Sequence, residues 1–167
     1  MLFRSANGLS TAKLGDFNAD GVADYAYAGD LQGNVWRFDL LRSGRSESAP
    51  FTREDDGKSA INDFEVAYGG KPLFSATSSN NGSRQPITSA PSLVRHPTGT
   101  GYLVIFGTGK FFETSDKEGD KSMPQSVYGI WDKQTLGEAA SNPNISRSSL
   151  QKQEITNQVT VAADGST

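Results

Sequence analysis

The sequence predicts an all-β chain of about two four-stranded units, laid out like blades of a β-propeller and joined by long polar loops. Three observations carry this. Short segments rich in aromatic and β-branched residues recur between Gly, Asn and Asp, without a helical period. Two hairpins repeat one pattern, in which a strand ends in glycine and the next ends in an aromatic residue and aspartate. Aligning Phe38-Asp39 on Trp131-Asp132 sets that repeat at 93 residues. The composition, 35% hydrophobic, 10% aromatic and 21% charged, suits a β-rich globule better than a disordered or membrane chain.

Residues 13–17 form the first strand-like segment. Residues 25–29 and 34–40 follow, and Leu31-Gln32-Gly33 between them is a tight turn, so the pair reads as a β-hairpin. Residues 73–77 complete a first unit spanning 10–78. In the second unit, 85–156, the segments are 86–95, 102–106 (closed by Gly107-Thr108-Gly109), 126–132 and 150–155. Stretches 43–60, 78–85 and 113–125 are polar and read as loops. Four strands per unit is the layout of a propeller blade. The repeat exceeds the ~40–50 residues of compact blades, and the excess falls in those loops. Two blades cannot close a ring that needs ~4–8, so the chain is expected to be part of a larger propeller. The competing arrangement is a small two-sheet sandwich.

The most informative local feature is Asp16-Phe17-Asn18-Ala19-Asp20-Gly21-Val22-Ala23-Asp24. Oxygen-bearing side chains stand at loop positions 1, 3, 5 and 9, and glycine at position 6, the order in which an EF-hand-type loop wraps Ca2+. Asp16, Asn18, Asp20 and Asp24 are the expected side-chain ligands, and the carbonyl of Val22 at position 7 is the expected backbone ligand. Position 12 is Tyr27 instead of the bidentate Glu that begins an EF-hand's exiting helix. The loop is therefore expected to lead into a strand. A solvated Asp/Asn/Gly turn is the plainer alternative.

Other chemistry is poorly supported. Gly107-Thr108-Gly109-Lys110 lacks the Ser or Thr after lysine that a P-loop uses for Mg2+, and Val104 stands where its first glycine belongs. His96 is the only histidine and no Gly-x-Ser-x-Gly elbow exists, so no hydrolase triad is expected. The absence of cysteine removes thiolate metal sites, disulfides and thiol nucleophiles. Carboxylate clusters at 54–56 and 116–120 lie in polar loops and read as solvated turns. Trp36, Phe38, Tyr128 and Trp131 are expected to pack in the core. Net charge is −3 with scattered basic residues, which leaves no stripe for nucleic acid. The longest apolar run, 102–106, is far short of the ~20 residues a membrane-spanning helix needs. No signal peptide is read at Met1-Leu2-Phe3-Arg4, so an exported parent would carry its signal upstream or have lost it.

The run Gly15-Asp-Phe-Asn-Ala-Asp-Gly-Val-Ala-Asp24, with Tyr27-Ala-Gly-Asp-Leu-Gln-Gly-Asn-Val-Trp-Arg-Phe-Asp-Leu40, resembles the C-terminal β-propeller of the PilY/PilC family. Pro86-Ile-Thr-Ser-Ala-Pro-Ser-Leu, Leu103-Val-Ile-Phe-Gly-Thr-Gly-Lys-Phe and Ser126-Val-Tyr-Gly-Ile-Trp-Asp132 agree with it. The resemblance covers most of residues 10–160. It implies a modified propeller from a type IV pilus biogenesis factor and tip-associated adhesin. It also implies a Ca2+ loop at Asp16, Asn18, Asp20, Val22 and Asp24, whose occupancy bears on pilus extension, retraction, twitching motility and attachment. The implied setting is the bacterial surface, outer membrane or pilus (fimbrium). The implied partners are pilins or minor pilins, the rest of the parent propeller and a host-cell surface. No enzymatic activity is implied, and no Arg-Gly-Asp occurs. An integrin-like FG-GAP adhesion propeller and a quinoprotein-like propeller enzyme are the alternative classes.

Overall fold

A computed structural model of the chain describes residues 7–17, 19, 21–40, 65–79, 81–112, 114–117, 124–133, 143 and 145–153. Among the described residues, eight short strands form two antiparallel sheets. The first contains β1 (Lys13–Gly15), β2 (Tyr25–Gly29), β3 (Asn34–Asp39), β4 (Glu65–Val66) and β5 (Phe74–Ser75). The second contains β6 (Ser92–Arg95), β7 (Tyr102–Gly107) and β8 (Val127–Asp132).

Both predicted hairpins form. β2 pairs with β3 from Tyr25 opposite Asp39 to Gly29 opposite Val35, and β7 pairs with β8 from Tyr102 opposite Asp132 to Gly107 opposite Val127. The repeat is therefore structural: in each sheet a tyrosine opening the second strand faces the aspartate closing the third. β1 and β6 flank these hairpins at equivalent positions, Gly15 opposite Tyr25 and Arg95 opposite Tyr102.

The fourth strand position of the first sheet is divided. β4 pairs with the Asp39 end of β3 and β5 with its Asn34 end. Between them Tyr68 and Gly69 take left-handed backbone angles, φ 59° and 63°, which turn the Tyr68 ring into the core. The predicted strand 73–77 thus shortens to Phe74–Ser75, and Glu65–Val66 adds a strand the pattern did not show. Of the predicted segment 86–95, only Ser92–Arg95 is a regular strand, although Ile87 makes a parallel bridge to Gly109. The predicted strand 150–155 is not seen at residues 150–153, which lack strand pairing and follow a 3-10 turn at Arg147–Ser149. The described residues of 78–85 form a turn with no strand, as read, although Ser78 and Gln85 are buried, and Gln85 accepts from the Tyr128 hydroxyl and donates to the Pro124 carbonyl. Residues 43–60 lie outside the described residues.

The core fills the space between the sheets. Tyr25, Tyr27, Val35, Tyr68, Leu73 and Phe74 from the first meet Tyr102, Val104, Phe106, Tyr128 and Ile130 from the second. Burial alternates along β7 with the period of a strand that has one covered face. Phe74, Phe106 and Tyr128 form one aromatic group, with centroids 5.0 to 6.3 Å apart, while Tyr25, Tyr27 and Tyr102 form another at 6.2 to 6.5 Å. Trp36, Phe38 and Trp131 fall short of full core burial and are half-buried; Tyr128 is buried. Among the described residues no helix is long and apolar enough to cross a membrane.

Candidate metal centre

The acidic loop connects β1 to β2, so it leads into a strand as its missing twelfth ligand suggested. Asp16 folds the turn around its own carboxylate. Its Oδ1 accepts the Ala19 N–H at 2.7 Å and its Oδ2 the Gly21 N–H at 2.8 Å. Gly21 has φ 90°, a left-handed conformation that a side chain rarely adopts. At the far end Asp24 is 2% exposed, and its Oδ2 accepts the Phe17 N–H at 2.5 Å. The Asp24 N–H donates to the Gly15 carbonyl at 2.9 Å, closing the loop's base. The first and last predicted ligands are thus drawn to the same stretch of backbone. Val22 exposes its side chain, as suits a position expected to offer only its carbonyl.

Asn18 and Asp20 lie outside the described residues. Among the described residues no group of three His, Cys, Asp or Glu side chains is placed to hold a metal ion. The donor chemistry nevertheless fits a hard divalent cation. Every predicted ligand is an oxygen, three of the side chains are carboxylates, and no imidazole or thiolate is among them to favour zinc.

The other sequence candidates have structural partners. His96 stacks on Trp131, with centroids 3.7 Å apart, and its Nδ1 lies 2.8 Å from the Thr98 hydroxyl. The 107–110 turn pairs with the chain at 86–88 and 126. Asp116 accepts the Phe112 N–H and pairs with Lys110 at 3.5 Å, whereas Glu54, Asp55, Asp56, Glu118 and Asp120 lie outside the described residues.

Sequence reasoning missed a buried polar cluster between the sheets. Arg37 on β3 is 1% exposed. Its Nε reaches Asp39 Oδ1 at 2.7 Å, and its Nη1 reaches Asp132 Oδ2 on the other sheet at 3.1 Å. The guanidinium lies 4.8 Å from the Tyr25 ring centroid and 4.9 Å from that of Tyr68. The hydroxyls of Tyr27 and Tyr68 donate to Asp132, the first at 2.9 Å. Burial, reinforced by the Asp132 charge, pushes both phenols above their ordinary range. Burial opposes the charge of Arg37, but the Asp132 and Asp39 carboxylates outweigh it and raise its pKa. The two repeat-equivalent aspartates therefore share one cation. Their repetition was legible in the sequence, but their common partner was not.

Asp30 was also missed. It is fully buried. Its side chain accepts from the N–H groups of Gln32 and Asn34, the amides of Asn7 and Asn34, and the Trp36 indole, at 2.8 to 2.9 Å. Burial works against its charge, but these donors win and hold the carboxyl below its ordinary value. The turn 31–33 is built on this one carboxylate.

Two antiparallel meanders packed face to face, with repeat-equivalent strands and an acidic turn feeding one of them, fit adjacent blades of a β-propeller-type protein, and the family match decides for that class over a two-sheet sandwich. Residues 4–164 match the family described as PilY1 beta-propeller domain. The chain belongs to that family. It is 57% identical over 150 residues to the type IV pilus biogenesis factor PilY1 of Pseudomonas aeruginosa PAO1, covering 89% of this chain and 13% of the relative. A homolog in Xylella fastidiosa is 35% identical over 126 residues, covering 75% of this chain and 8% of that one. The crystal structure of the P. aeruginosa PilY1 C-terminal domain aligns with TM-score 0.79 and 56% identity, over 89% of this chain and 31% of that one. The chain thus spans a small part of the relatives it matches.

Proposed function

We propose that the chain is a non-enzymatic, Ca2+-binding propeller segment of a type IV pilus assembly and adhesion protein. In this reading the two sheets are consecutive blades, approximately residues 10–78 and 85–156, and further blades of the parent propeller cover their outer faces. The protein acts after export, at the cell surface or on the pilus, against pilins or minor pilins and a host surface. The naming of its relatives as pilus biogenesis factors supports the setting.

The observation that carries the metal is the loop's closure. The Asp16 carboxylate gathers the N–H groups of Ala19 and Gly21, and Asp24 returns to the Phe17 N–H. Three aspartates in nine residues repel one another. Asp16, Asn18, Asp20, Asp24 and the Val22 carbonyl would hold Ca2+, which when bound supplies the charge that offsets this repulsion. The chain's own residues then fix the entry to β2, and the machinery controlling extension and retraction reads the ordered surface.

Calorimetric titration of Ca2+ into wild type and Asp20→Ala tests the site. Wild type is expected to give a saturable heat, at an affinity on the order of 10⁻⁴–10⁻³ M if the site resembles other extracellular modules, and the variant none. Indistinguishable heats would remove the metal. Twitching and surface piliation of cells carrying Asp20→Ala test the regulatory part, which fails if both match wild type while calcium binding is lost.

A further inference from the structure

The loop does not rest on its own sheet alone. Gly15, immediately before Asp16, approaches the second sheet so closely that a Cβ there would stand 3.1 Å from Tyr102 Cζ and 3.2 Å from Leu93 Cδ1. Phe17, immediately after, sets its half-buried ring edge-on against Tyr102, with centroids 5.6 Å apart and planes at 84°. The Arg95 guanidinium lies 4.4 Å from the centroid of the same ring. Tyr102 is in turn edge-on to Tyr25 and Tyr27 of the first sheet. The far end of the loop is tied to the first sheet, where the Leu40 N–H donates to the Asp24 carbonyl at 2.9 Å. The loop therefore straddles the seam between the sheets.

Resting on the calcium reading above, we propose that Phe17 is a positioning residue that couples cation binding in the 16–24 loop to the packing of the second sheet against the first. Its backbone and its ring do different things. The backbone N–H fixes the Asp24 carboxylate at 2.5 Å. The ring, flanked in sequence by two predicted ligands, enters the Tyr102–Arg95 seat on β6 and β7. A cation that fixes Asp16 and Asp24 thereby restricts the backbone that aims the ring, and a seated ring holds Asp24 where the cation needs it. Such coupling is reciprocal: the ion tightens the seam, and the seam raises affinity for the ion. The loop would then report cation occupancy to strands on the opposite sheet.

Hydrogen exchange of the intact protein with and without Ca2+ tests this, alongside calorimetry on the same samples. In wild type, Ca2+ is expected to slow exchange both in 16–24 and in 92–107. Phe17→Ala is expected to weaken Ca2+ roughly tenfold, within the usual range of coupling between sites. At saturating Ca2+ it should keep the protection of 16–24 and lose the increment at 92–107, whereas Phe17→Tyr restores that increment. Arg95→Ala, a change at an exposed residue, provides a second variant, expected to reduce the increment without unfolding the chain. Protection confined to the loop in wild type, or an undiminished increment in both Phe17→Ala and Arg95→Ala, overturns the coupling while leaving calcium binding intact. No Ca2+ heat in wild type overturns the calcium reading and the coupling with it.

Discussion

Replacing Arg37 by leucine removes a cation shared by two buried carboxylates. Asp39 and Asp132 are 5% and 2% exposed. In the variant Asp39 loses its contacts with Nε and Nη2, and Asp132 loses Nη1 while keeping the Tyr27 and Tyr68 hydroxyls. Opening a buried ion pair costs ~3–5 kcal/mol, because the remaining charge stays desolvated. The contacts over Tyr25 and Tyr68 involve the same side chain, so their worth is not additive, and leucine restores part of the packing. We expect a net loss of about 4 kcal/mol, a large share of the ~5–15 kcal/mol that a domain has in total. In urea unfolding followed by near-ultraviolet circular dichroism, an m-value of ~2 kcal/mol/M turns that into a midpoint lower by about 2 M, with the slope unchanged. The double variant Arg37→Leu/Asp132→Asn should be less damaging than the sum of its parts, because one stranded charge leaves with the cation. A loss under ~1 kcal/mol, the worth of an exposed pair, or one abolished by ~1 M salt, would refute the assignment of Arg37 as the buried tie between the sheets.

Two further outcomes are expected. Gly33→Ala should cost roughly 2–3 kcal/mol in the same assay, because φ is 80° and the new Cβ would meet the Gln85 carbonyl oxygen at 2.6 Å and that of Ala76 at 2.9 Å; an unchanged midpoint would mean the turn does not pack as described. Stability should also fall at both pH extremes. Asp30 has a folded pKa below its unfolded value of ~3.9, so its contribution is full above that value and is lost as pH drops through the lower folded pKa. Tyr27 and Tyr68 have folded pKa values above their unfolded ~10, so theirs is full below pH ~10 and is lost as pH rises beyond it. Ultraviolet titration should show Tyr27 and Tyr68 resisting ionisation until the chain unfolds, and Tyr68→Phe should flatten the alkaline fall. Ionisation of both at pH ~10 in the folded protein would contradict this.

Much of the fold was legible because strands with one covered face declare themselves by alternation, and both hairpins fell within a residue of their predicted places. The 31–33 turn was readable from Gly33. Its dependence on Asp30 was not, because the Trp36 indole and Asn34 amide that satisfy that carboxylate are brought in by the hairpin itself, and the Asn7 amide by the chain before β1. Short pairings were the weak point. β4 and β5 each have two residues, too few for any period, and their existence depends on β3 offering its edge. Residues 150–153 had strand-like composition but form no strand, because composition alone does not supply a paired neighbour.

The sequence by itself determined the local chemistry: an all-β chain, a duplicated hairpin, and a nine-residue loop with oxygen at the spacing a hard cation requires. These are properties of side-chain type and interval, which survive without knowledge of neighbours. Tertiary structure alone decided which distant residues share a charge and where the loop leans. Arg37 and Asp132 are 95 residues apart in sequence and 3.1 Å apart in space. Phe17 and Tyr102 meet only because two sheets pack face to face. A low-dielectric interior makes the first pairing costly to break, despite the desolvation it demands, and close packing makes the second specific. Both effects belong to an interior that no single stretch of chain can form alone.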